Sequence, residues 1–189
     1  MENAVENKEK QGKTKSKKQD AIEWVLTFVI PIILAVLIHT FLFTFAMVDG
    51  ESMMDTFQSN NITGVSRLYR FNCEPQRGEV ITVHYDESKK LYIKRVIGLP
   101  GEKVELVGGT LYINDEPMTE GYLTRIDTRD FGPYFVGENE IFVMGDNRPV
   151  SNDSRYVGPL PMEYVYGKVI FVAFPFDQMR GTTKIPVYD

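Results

Sequence analysis

A nearly unbroken apolar run from Trp24 to Met47 constrains this chain more than any other feature of its sequence. The run is about 24 residues long, so as a helix it would span roughly 36 Å, enough to cross a hydrocarbon core of about 30 Å. A cleavable leader would have an apolar stretch of only about 7–15 residues followed by small residues, whereas this run ends in Phe-Ala-Met-Val. We therefore expect a permanent transmembrane anchor helix over residues 21–47, in which Pro31 is tolerated.

The residues before this run are polar and basic. Residues 1–20 contain six lysines and almost no apolar side chains, so they cannot bury enough surface to offset the entropy of ordering. We expect them to form a disordered cytoplasmic tail, because the positive-inside rule keeps the lysine-rich end in the cytoplasm. The sequence thus predicts a single-pass type II protein of the cell membrane, with residues 48–189 on the extracytoplasmic side.

The chain beyond the membrane run consists of short apolar runs separated by turn residues, which indicates strands rather than helices. The predicted strands are Glu79–Tyr85, Leu91–Ile97, Lys103–Val107, Thr110–Asn114, Glu140–Met144 and Lys168–Phe174. Gly108-Gly109 predicts a tight hairpin between the third and the fourth. No stretch after residue 60 keeps a helical period of 3.6 residues. We therefore predict a mainly β fold, with an antiparallel extracytoplasmic domain of β-sheet.

Charge and cysteine content exclude several classes of protein. The segment after Val48 has a net charge of about −6 by side-chain count, whereas a nucleic-acid partner would normally require a basic face. Cys73 is the only cysteine, so no internal disulfide forms, and we interpret it as a small apolar filler. No cluster of His, Cys and acidic residues has metal-ligand spacing. We expect neither a metal nor an organic cofactor.

Three segments carry candidate chemistry. The first, Gly50–Phe57, places Ser52 within about 17 Å of the end of the apolar run, because five residues extend no further. The second, Tyr92–Glu102, contains Lys94 on a predicted strand, where alternation places it on one face with Tyr92 and Val96. The third, Gly145–Gly158, is a run of turn formers and paired charges between apolar strands. Taken singly, the three also suit a loop serine, an edge-strand lysine and an ordered polar loop.

Together these segments resemble the signature blocks of the type I signal peptidase family, in its small Gram-positive-like form. The family has a Ser-Met block after a membrane anchor, a Lys-Arg block on a strand, and a Gly-Asp-Asn-Arg block followed by Ser-x-Asp-Ser-Arg. All three occur here in that order, and the resemblance extends from about Glu23 onward. The third block is the most specific of the three.

The resemblance implies a membrane-bound serine endopeptidase that removes signal peptides from exported preproteins. Its partners would be those signal peptides and the lipid bilayer, and the residues one and three before the cut would be small. By the same resemblance Ser52 is the acylating nucleophile and Lys94 its base. The N–H groups of Ser52 and Gly50 are the implied oxyanion donors, and the Ser151 hydroxyl is the group that orients the lysine. The residues that support the site are Met53, Asp146, Asp153 and Arg155.

A Ser/Lys pair also makes chemical sense without the family. A serine hydroxyl is a weak nucleophile that needs a base beside it, and a lysine can be that base only when neutral. At an unperturbed pKa of about 10.4, roughly 0.04% of lysine side chains are neutral at pH 7. The fold must therefore lower the pKa of Lys94, and burial among apolar side chains has the required effect.

The chain departs from the family pattern at Asp55, where the family usually has proline. Asp55 removes a restraint on the loop and adds a negative charge near Ser52, which would oppose deprotonation of Lys94. It therefore favours an alternative, a catalytically weak or inactive homologue that binds signal peptides or regulates an active peptidase.

A histidine mechanism, a self-cleaving repressor and a purely structural role each have less support in the sequence. A Ser-His-Asp mechanism has only His39, within the membrane run, and His84, on a strand, and the sequence has no Gly-x-Ser-x-Gly elbow. A self-cleaving Ser/Lys repressor would carry a DNA-binding segment and no anchor. A structural anchored protein leaves the polar segment Gly145–Gly158 without a role.

Overall fold

The computed structural model describes residues 17–71, 74–85 and 90–182. Most of the predicted disordered tail, and Cys73, lie outside these residues. Residues 17–20 do not follow that prediction, because they form the first turn of a helix. The described chain divides into two compact units between Thr40 and Phe41, and each is considered separately below.

The described part of the first unit is a single helix, α1, Lys17–Phe41, whose last residue is the first residue of the second unit. It has 25 residues and a mean hydropathy of 2.6, so by length and composition it can cross a membrane. The helix widens to a π-helical turn over Val25–Val29, where the Ile30 N–H donates to the Val25 carbonyl. Pro31 follows directly. Since proline lacks an N–H and its ring crowds the carbonyl of the preceding turn, a wider turn at this point is expected.

The prediction that the anchor helix continues to Met47 is wrong for its last six residues. The helix ends at Phe41, and residues 43–47 form an edge strand, β1, that pairs with β2 (Ile62–Ser66) from Phe43↔Ser66 to Met47↔Ile62. An apolar run is equally compatible with a buried helix and with a strand of a sheet, so hydropathy alone does not locate the change.

The second unit is built from two antiparallel sheets, which confirms the predicted mainly β fold. The remaining strands are β3 Val80–Val83, β4 Tyr92–Gly98, β5 Lys103–Val107, β6 Thr110–Ile113, β7 Glu116–Met118, β8 Phe131–Phe135, β9 Glu140–Met144, β10 Leu160–Pro161, β11 Val165–Phe174 and β12 Arg180–Gly181. The large sheet has the order β1-β2-β11-β3-β4-β9-β10, with β12 paired to β11, and the small sheet has the order β7-β6-β5-β8. A short helix, α2, Ser154–Val157, follows β9.

All six predicted strands are present, with ends that differ by three residues or fewer. The predicted hairpin is also confirmed: Val107 pairs with Thr110, and Gly108 and Gly109 have φ of 56° and 86°. Both values lie in the left-handed region that a two-residue hairpin turn requires and that glycine adopts without strain.

The apolar core is divided into clusters on the faces of the large sheet. One cluster joins the two sheets and contains residues of β4, β5, β6 and β9, among them Ile97, Val104, Leu111 and Phe142. A second packs the loop after β1 against the sheet through Met53, Phe57 and Ile93. β4 thus contributes Ile93 to the cluster beneath the Ser52 loop and Ile97 to the cluster that joins the sheets, and Lys94 lies between these two residues along the strand.

Candidate active site

Three segments far apart in sequence meet at Lys94. Ser52 lies in the loop between β1 and β2, Lys94 lies in the middle of β4, and Ser151 lies in the loop after β9. The Lys94 Nζ is 2.8 Å from Ser52 Oγ and 3.2 Å from Ser151 Oγ. The structure therefore brings together the nucleophile, the base and the orienting hydroxyl that the sequence predicted, although their roles stay predictions.

Lys94 is buried, with 2% of its surface exposed. Tyr92 and Val96, which share its strand face by alternation, both pack into an apolar cluster with Ile81 and Val143. This burial lowers the pKa of Lys94 to about 8, and it outweighs the carboxylates of Asp153 and Asp146, which act in the opposite direction. Desolvation disfavours the ammonium form, so a sizeable fraction of the side chains is neutral near physiological pH.

Gly145 determines how closely the loop that carries Ser52 approaches the loop that carries Ser151. A Cβ at this position would lie 2.2 Å from Ser151 Oγ and 2.4 Å from the Ser52 carbonyl oxygen. Both distances are far inside van der Waals contact. The loops can therefore present Ser52 and Ser151 to the same amine only because residue 145 has no side chain.

The Asp153–Arg155 pair lies behind Ser151. The Arg155 Nε donates to Asp153 Oδ1 at 2.8 Å, and Arg155 Nη2 donates to the carbonyl oxygens of Arg148 and Ser151 at 2.7 and 3.2 Å. Asp153 also accepts the Gly145 N–H at 2.9 Å and caps α2. The pair therefore holds the backbone of the loop at both sides of Ser151.

A second buried ion pair lies on the opposite face of β4. Arg95, adjacent to Lys94, donates to both carboxylate oxygens of Asp146 at 2.8 and 2.6 Å and to the Gly78 carbonyl at 2.7 Å. Thr56, from the Ser52 loop, also donates to Asp146. Asp146 thus links β4, the loop after β9 and the loop that carries Ser52. Arg95 was not predicted as a site residue, although it is the second residue of the Lys-Arg motif.

The segment from residue 119 to residue 130, here called the 119–130 loop, was not predicted to belong to the site. Its Glu120 pairs with the buried Arg148, with a bond of 2.8 Å to Nη1, and its Asp127 accepts from Arg155 at 2.8 Å. The Arg95 guanidinium lies over the face of the Tyr122 ring, with its Cζ 3.9 Å from the ring centroid. No motif or period in the sequence marks these residues, because their partners are on distant strands and loops.

Two other predicted site residues have well-defined environments. Met53 is 1% exposed and lies in the apolar cluster below the Ser52 loop, which suits a supporting role. The Gly50 N–H donates to Ser59 Oγ at 3.4 Å, a long contact.

The Asp55 carboxylate has other partners than Lys94. It accepts a hydrogen bond from Thr124 at 2.6 Å and lies 3.9 Å from Arg125 Nη2. The carboxylates that act on the pKa of Lys94 are Asp153 and Asp146. The expectation that Asp55 opposes deprotonation of Lys94 is therefore not supported, and the main reason for considering an inactive homologue is removed.

The two histidines lie in other parts of the chain than the Ser52, Lys94 and Ser151 segments. The His84 ring lies edge-on to Tyr166, and its Nδ1 is 3.1 Å from the Lys90 carbonyl oxygen. His39 lies in α1. Within residues 17–71, 74–85 and 90–182, no group of three or more His, Cys, Asp or Glu side chains could hold a metal ion.

The chain matches a known protein family over most of its length. The family model described as "Signal peptidase, peptidase S26" matches residues 21–174. This match covers well over half of the chain, which therefore belongs to the signal peptidase family of serine peptidases. The family that the sequence motifs suggested is confirmed.

Individual relatives point to one branch of that family. The chain is 39% identical to signal peptidase I of Bacillus licheniformis over 181 residues, covering 90% of this chain and 97% of the relative. It is 38% identical to signal peptidase I S of Bacillus subtilis, covering 88% and 96%, and 33% identical to signal peptidase I of Leptolyngbya laminosa, covering 88% and 86%. A crystal structure of a signal peptidase I from Enterococcus faecalis matches with 35% identity and a TM-score of 0.45, covering 51% of this chain and 97% of that one.

Proposed function

We propose that this protein is a membrane-bound endopeptidase that cleaves amino-terminal signal peptides from exported preproteins through a Ser52/Lys94 dyad. The observation that carries the proposal is the 2.8 Å contact between Ser52 Oγ and a buried lysine whose pKa is lowered to about 8. Family membership and the names of the relatives support the choice of substrate.

Acylation begins when neutral Lys94 takes the proton of Ser52 Oγ as the oxygen attacks the scissile carbonyl carbon. The carbonyl electron pair moves to the oxygen, and the Ser52 N–H is the proposed donor to this oxyanion. The intermediate then collapses, the carbon–nitrogen bond breaks, and the leaving amine takes the proton from Lys94. The products of this half-reaction are an acyl ester on Ser52 and the freed chain.

Deacylation repeats these steps with water. Lys94, neutral again, takes a proton from the attacking water as its oxygen bonds to the acyl carbon. The ester bond then breaks with Ser52 Oγ as the leaving group, which takes the proton back from Lys94, and the signal peptide leaves as a free acid. The Ser151 hydroxyl, 3.2 Å from Nζ, keeps the lysine directed at Ser52 during both halves. The Gly50 N–H is a second candidate oxyanion donor, which would have to exchange its long contact with Ser59 for the substrate oxygen.

The proposal includes an orientation in the membrane. Helix α1 is the anchor, the lysine-rich end stays in the cytoplasm, and the β-rich unit acts on the extracytoplasmic side. Substrates whose own apolar segment lies in the same bilayer would present their cut site to Ser52, and by family resemblance the residues one and three before the cut are small.

The test is cleavage of a model preprotein in detergent by wild type, Ser52→Ala and Lys94→Ala. Nucleophile and base act as a unit, so each variant should fall below about a hundredth of wild-type turnover while remaining folded. His84→Ala and His39→Ala are the controls and should stay within a few-fold of wild type. Retained turnover in either dyad variant would overturn the dyad, and loss in the folded His84 variant would favour a histidine mechanism.

A further inference from the structure

Asn147 holds the backbone on both sides of Ser52. Its own N–H donates to the Ser52 carbonyl oxygen at 3.0 Å, and its side-chain Nδ2 donates to the Glu51 carbonyl oxygen at 3.0 Å. Asn147 itself has no exposed surface. One buried residue of the loop after β9 thus binds two successive carbonyl groups of the loop that carries Ser52.

The bond to Glu51 fixes the direction of the Ser52 N–H. The peptide bond between Glu51 and Ser52 is trans, so its carbonyl and its N–H point in opposite directions within one plane. When Asn147 Nδ2 holds the carbonyl oxygen, the N–H at the other side of the plane points away from Asn147. Among the residues that the structure describes, this N–H has no hydrogen-bond partner.

When Asn147 binds the Glu51 carbonyl through Nδ2, the other half of its side-chain amide is left without a partner among the described residues. Its Oδ1 is buried and makes no hydrogen bond within the described part of the chain. Leaving a buried acceptor unpaired is unfavourable, and a side chain that served packing alone would not need it. The position therefore uses the donor half of the amide, which is directed at the Glu51 carbonyl.

We propose that Asn147 is a positioning residue for oxyanion stabilisation: by binding the Glu51 carbonyl it sets the Ser52 N–H as a preorganised donor for the carbonyl oxygen of the substrate. The inference rests on the proposed acyl-transfer function. Donors aimed at the developing oxyanion act mainly in the transition state, so Asn147 should affect kcat far more than KM.

The experiment uses the full chain in detergent. Asn147→Ala removes the Nδ2 donor but keeps the backbone N–H that binds Ser52, and Asn147→Asp keeps the volume but also removes the donor. The matched control is Asn61→Ala, which removes a buried amide from the loop that carries Ser52; the Asn61 Nδ2 donates to Gln178 at 3.1 Å. Circular dichroism reports folding of each variant.

Two readouts separate positioning from general loosening. The first is the split between kcat and KM on a peptide substrate, with its pH profile. The second is affinity for a peptide aldehyde ending in Ala-x-Ala: Ser52 Oγ bonds to the aldehyde carbon, its proton passes to Lys94, and the carbonyl electron pair moves to oxygen. We expect Asn147→Ala to lower kcat by about 10–100-fold and to weaken aldehyde binding by a similar factor. This is less than the roughly 10²–10³-fold effect of removing one oxyanion donor, because the Ser52 N–H is misdirected rather than lost. KM and the pH midpoint should stay unchanged, and Asn61→Ala should keep near wild-type kcat.

Several results would overturn the inference. These are an unchanged kcat in Asn147→Ala, a fall in kcat with unchanged aldehyde affinity, or a shifted pH midpoint, which would mean that Asn147 acts on Lys94. If both Asn147 variants fail to fold, the wild type still decides: the amide proton of Ser52 should move downfield in the NMR spectrum when the aldehyde adduct forms, and an unmoved proton contradicts the proposal. Wild-type behaviour of Asn147→Ala with inactive Ser52→Ala and Lys94→Ala would refute this inference alone, whereas an active Ser52→Ala would refute the function on which it rests.

Discussion

At Lys94, burial and neighbouring charges act on the pKa in opposite directions. Desolvation lowers it most strongly, the Arg155 guanidinium lowers it further, and the carboxylates of Asp153 and Asp146 raise it. The result is a pKa of about 8, at which roughly a tenth of the lysines are neutral at pH 7. This is roughly 200 times the neutral fraction of about 0.04% at the unperturbed pKa.

The first prediction at the residue scale concerns the pH dependence of cleavage. Because the base must be deprotonated, kcat/KM should rise with pH, reach half its maximum near the pKa of about 8, and level off above it. Lys94→Arg should be inactive across this range, since a guanidinium stays protonated. A steady-state pH profile of both proteins checks this. An active arginine variant would show that position 94 supplies charge rather than proton transfer.

The second prediction compares two carboxylates. Asp153 raises the pKa of Lys94, so Asp153→Asn should move the midpoint of the pH profile to lower pH, at some loss of stability because Asp153 also holds Arg155. Asp55→Asn should leave the midpoint unchanged, since Asp55 contacts Thr124 and Arg125. The measurement is the same pH profile for the two variants. A downward shift in the Asp55 variant would restore the view that this residue opposes catalysis.

At the scale of elements, the site depends on how closely two loops can approach each other. Gly145→Ala places a Cβ 2.4 Å from the Ser52 carbonyl oxygen, so we predict that the loops separate and turnover falls by at least about 10²-fold, as expected for a misplacement of about 1 Å. Gly121→Ala is the control, because its Cβ would meet no atom within 4 Å. Turnover and thermal unfolding of both variants test this. Near wild-type turnover of Gly145→Ala would mean that the loops adapt without harm to the dyad.

The strands show which elements the sequence could reveal. The six predicted strands have apolar runs bounded by turn residues, and Gly108-Gly109 indicated the one predicted hairpin. β7 and β8 were missed because each contains a proline, Pro117 or Pro133, which weakens the strand signal. Both are edge strands of the small sheet, where the missing N–H costs little.

β1 was missed for a different reason. Its residues continue the apolar run of α1, and the sequence has no cap or turn residue at the boundary. Its strand conformation depends on pairing with β2 and on the stacking of Phe43 on Phe171, whose ring centroids are 5.8 Å apart. Such long-range contacts have no local signature in the sequence.

At the scale of the whole molecule, the motifs predicted the residues that meet at Lys94 and the buried charged side chains beside them, but not the loop that pairs with those charged side chains. Ser52, Lys94 and Ser151 lie in motif blocks, and so do Asp146, Asp153 and Arg155. The 119–130 loop, which binds Arg148 through Glu120 and Arg155 through Asp127, lies in no motif. Its role depends on side-chain pairing across the fold, which composition and spacing do not encode.

The proposed role of α1 as a membrane anchor gives a prediction for the whole molecule. A chain that starts at Phe43 keeps β1 and both sheets but loses α1. It should cleave a short soluble peptide at nearly the full-length rate, and it should cleave a preprotein embedded in lipid vesicles at least about 10²-fold more slowly, because the anchor raises the effective concentration at the bilayer. Parallel assays on the two substrates check this. Equal losses on both would mean that α1 is needed for the fold or the chemistry rather than for access to the substrate.

The central claim is that Ser52 becomes acylated and that Lys94 takes its proton. Intact-protein and peptide mass spectrometry after a rapid acid quench tests it most directly, with a model signal-peptide substrate and the wild-type and Lys94→Ala chains. We expect an ester adduct on Ser52 in the wild type and a rate of adduct formation at least about 10³-fold lower in Lys94→Ala, because the base acts as a unit with its nucleophile. An adduct on another residue, or one that forms at the wild-type rate without Lys94, would contradict it.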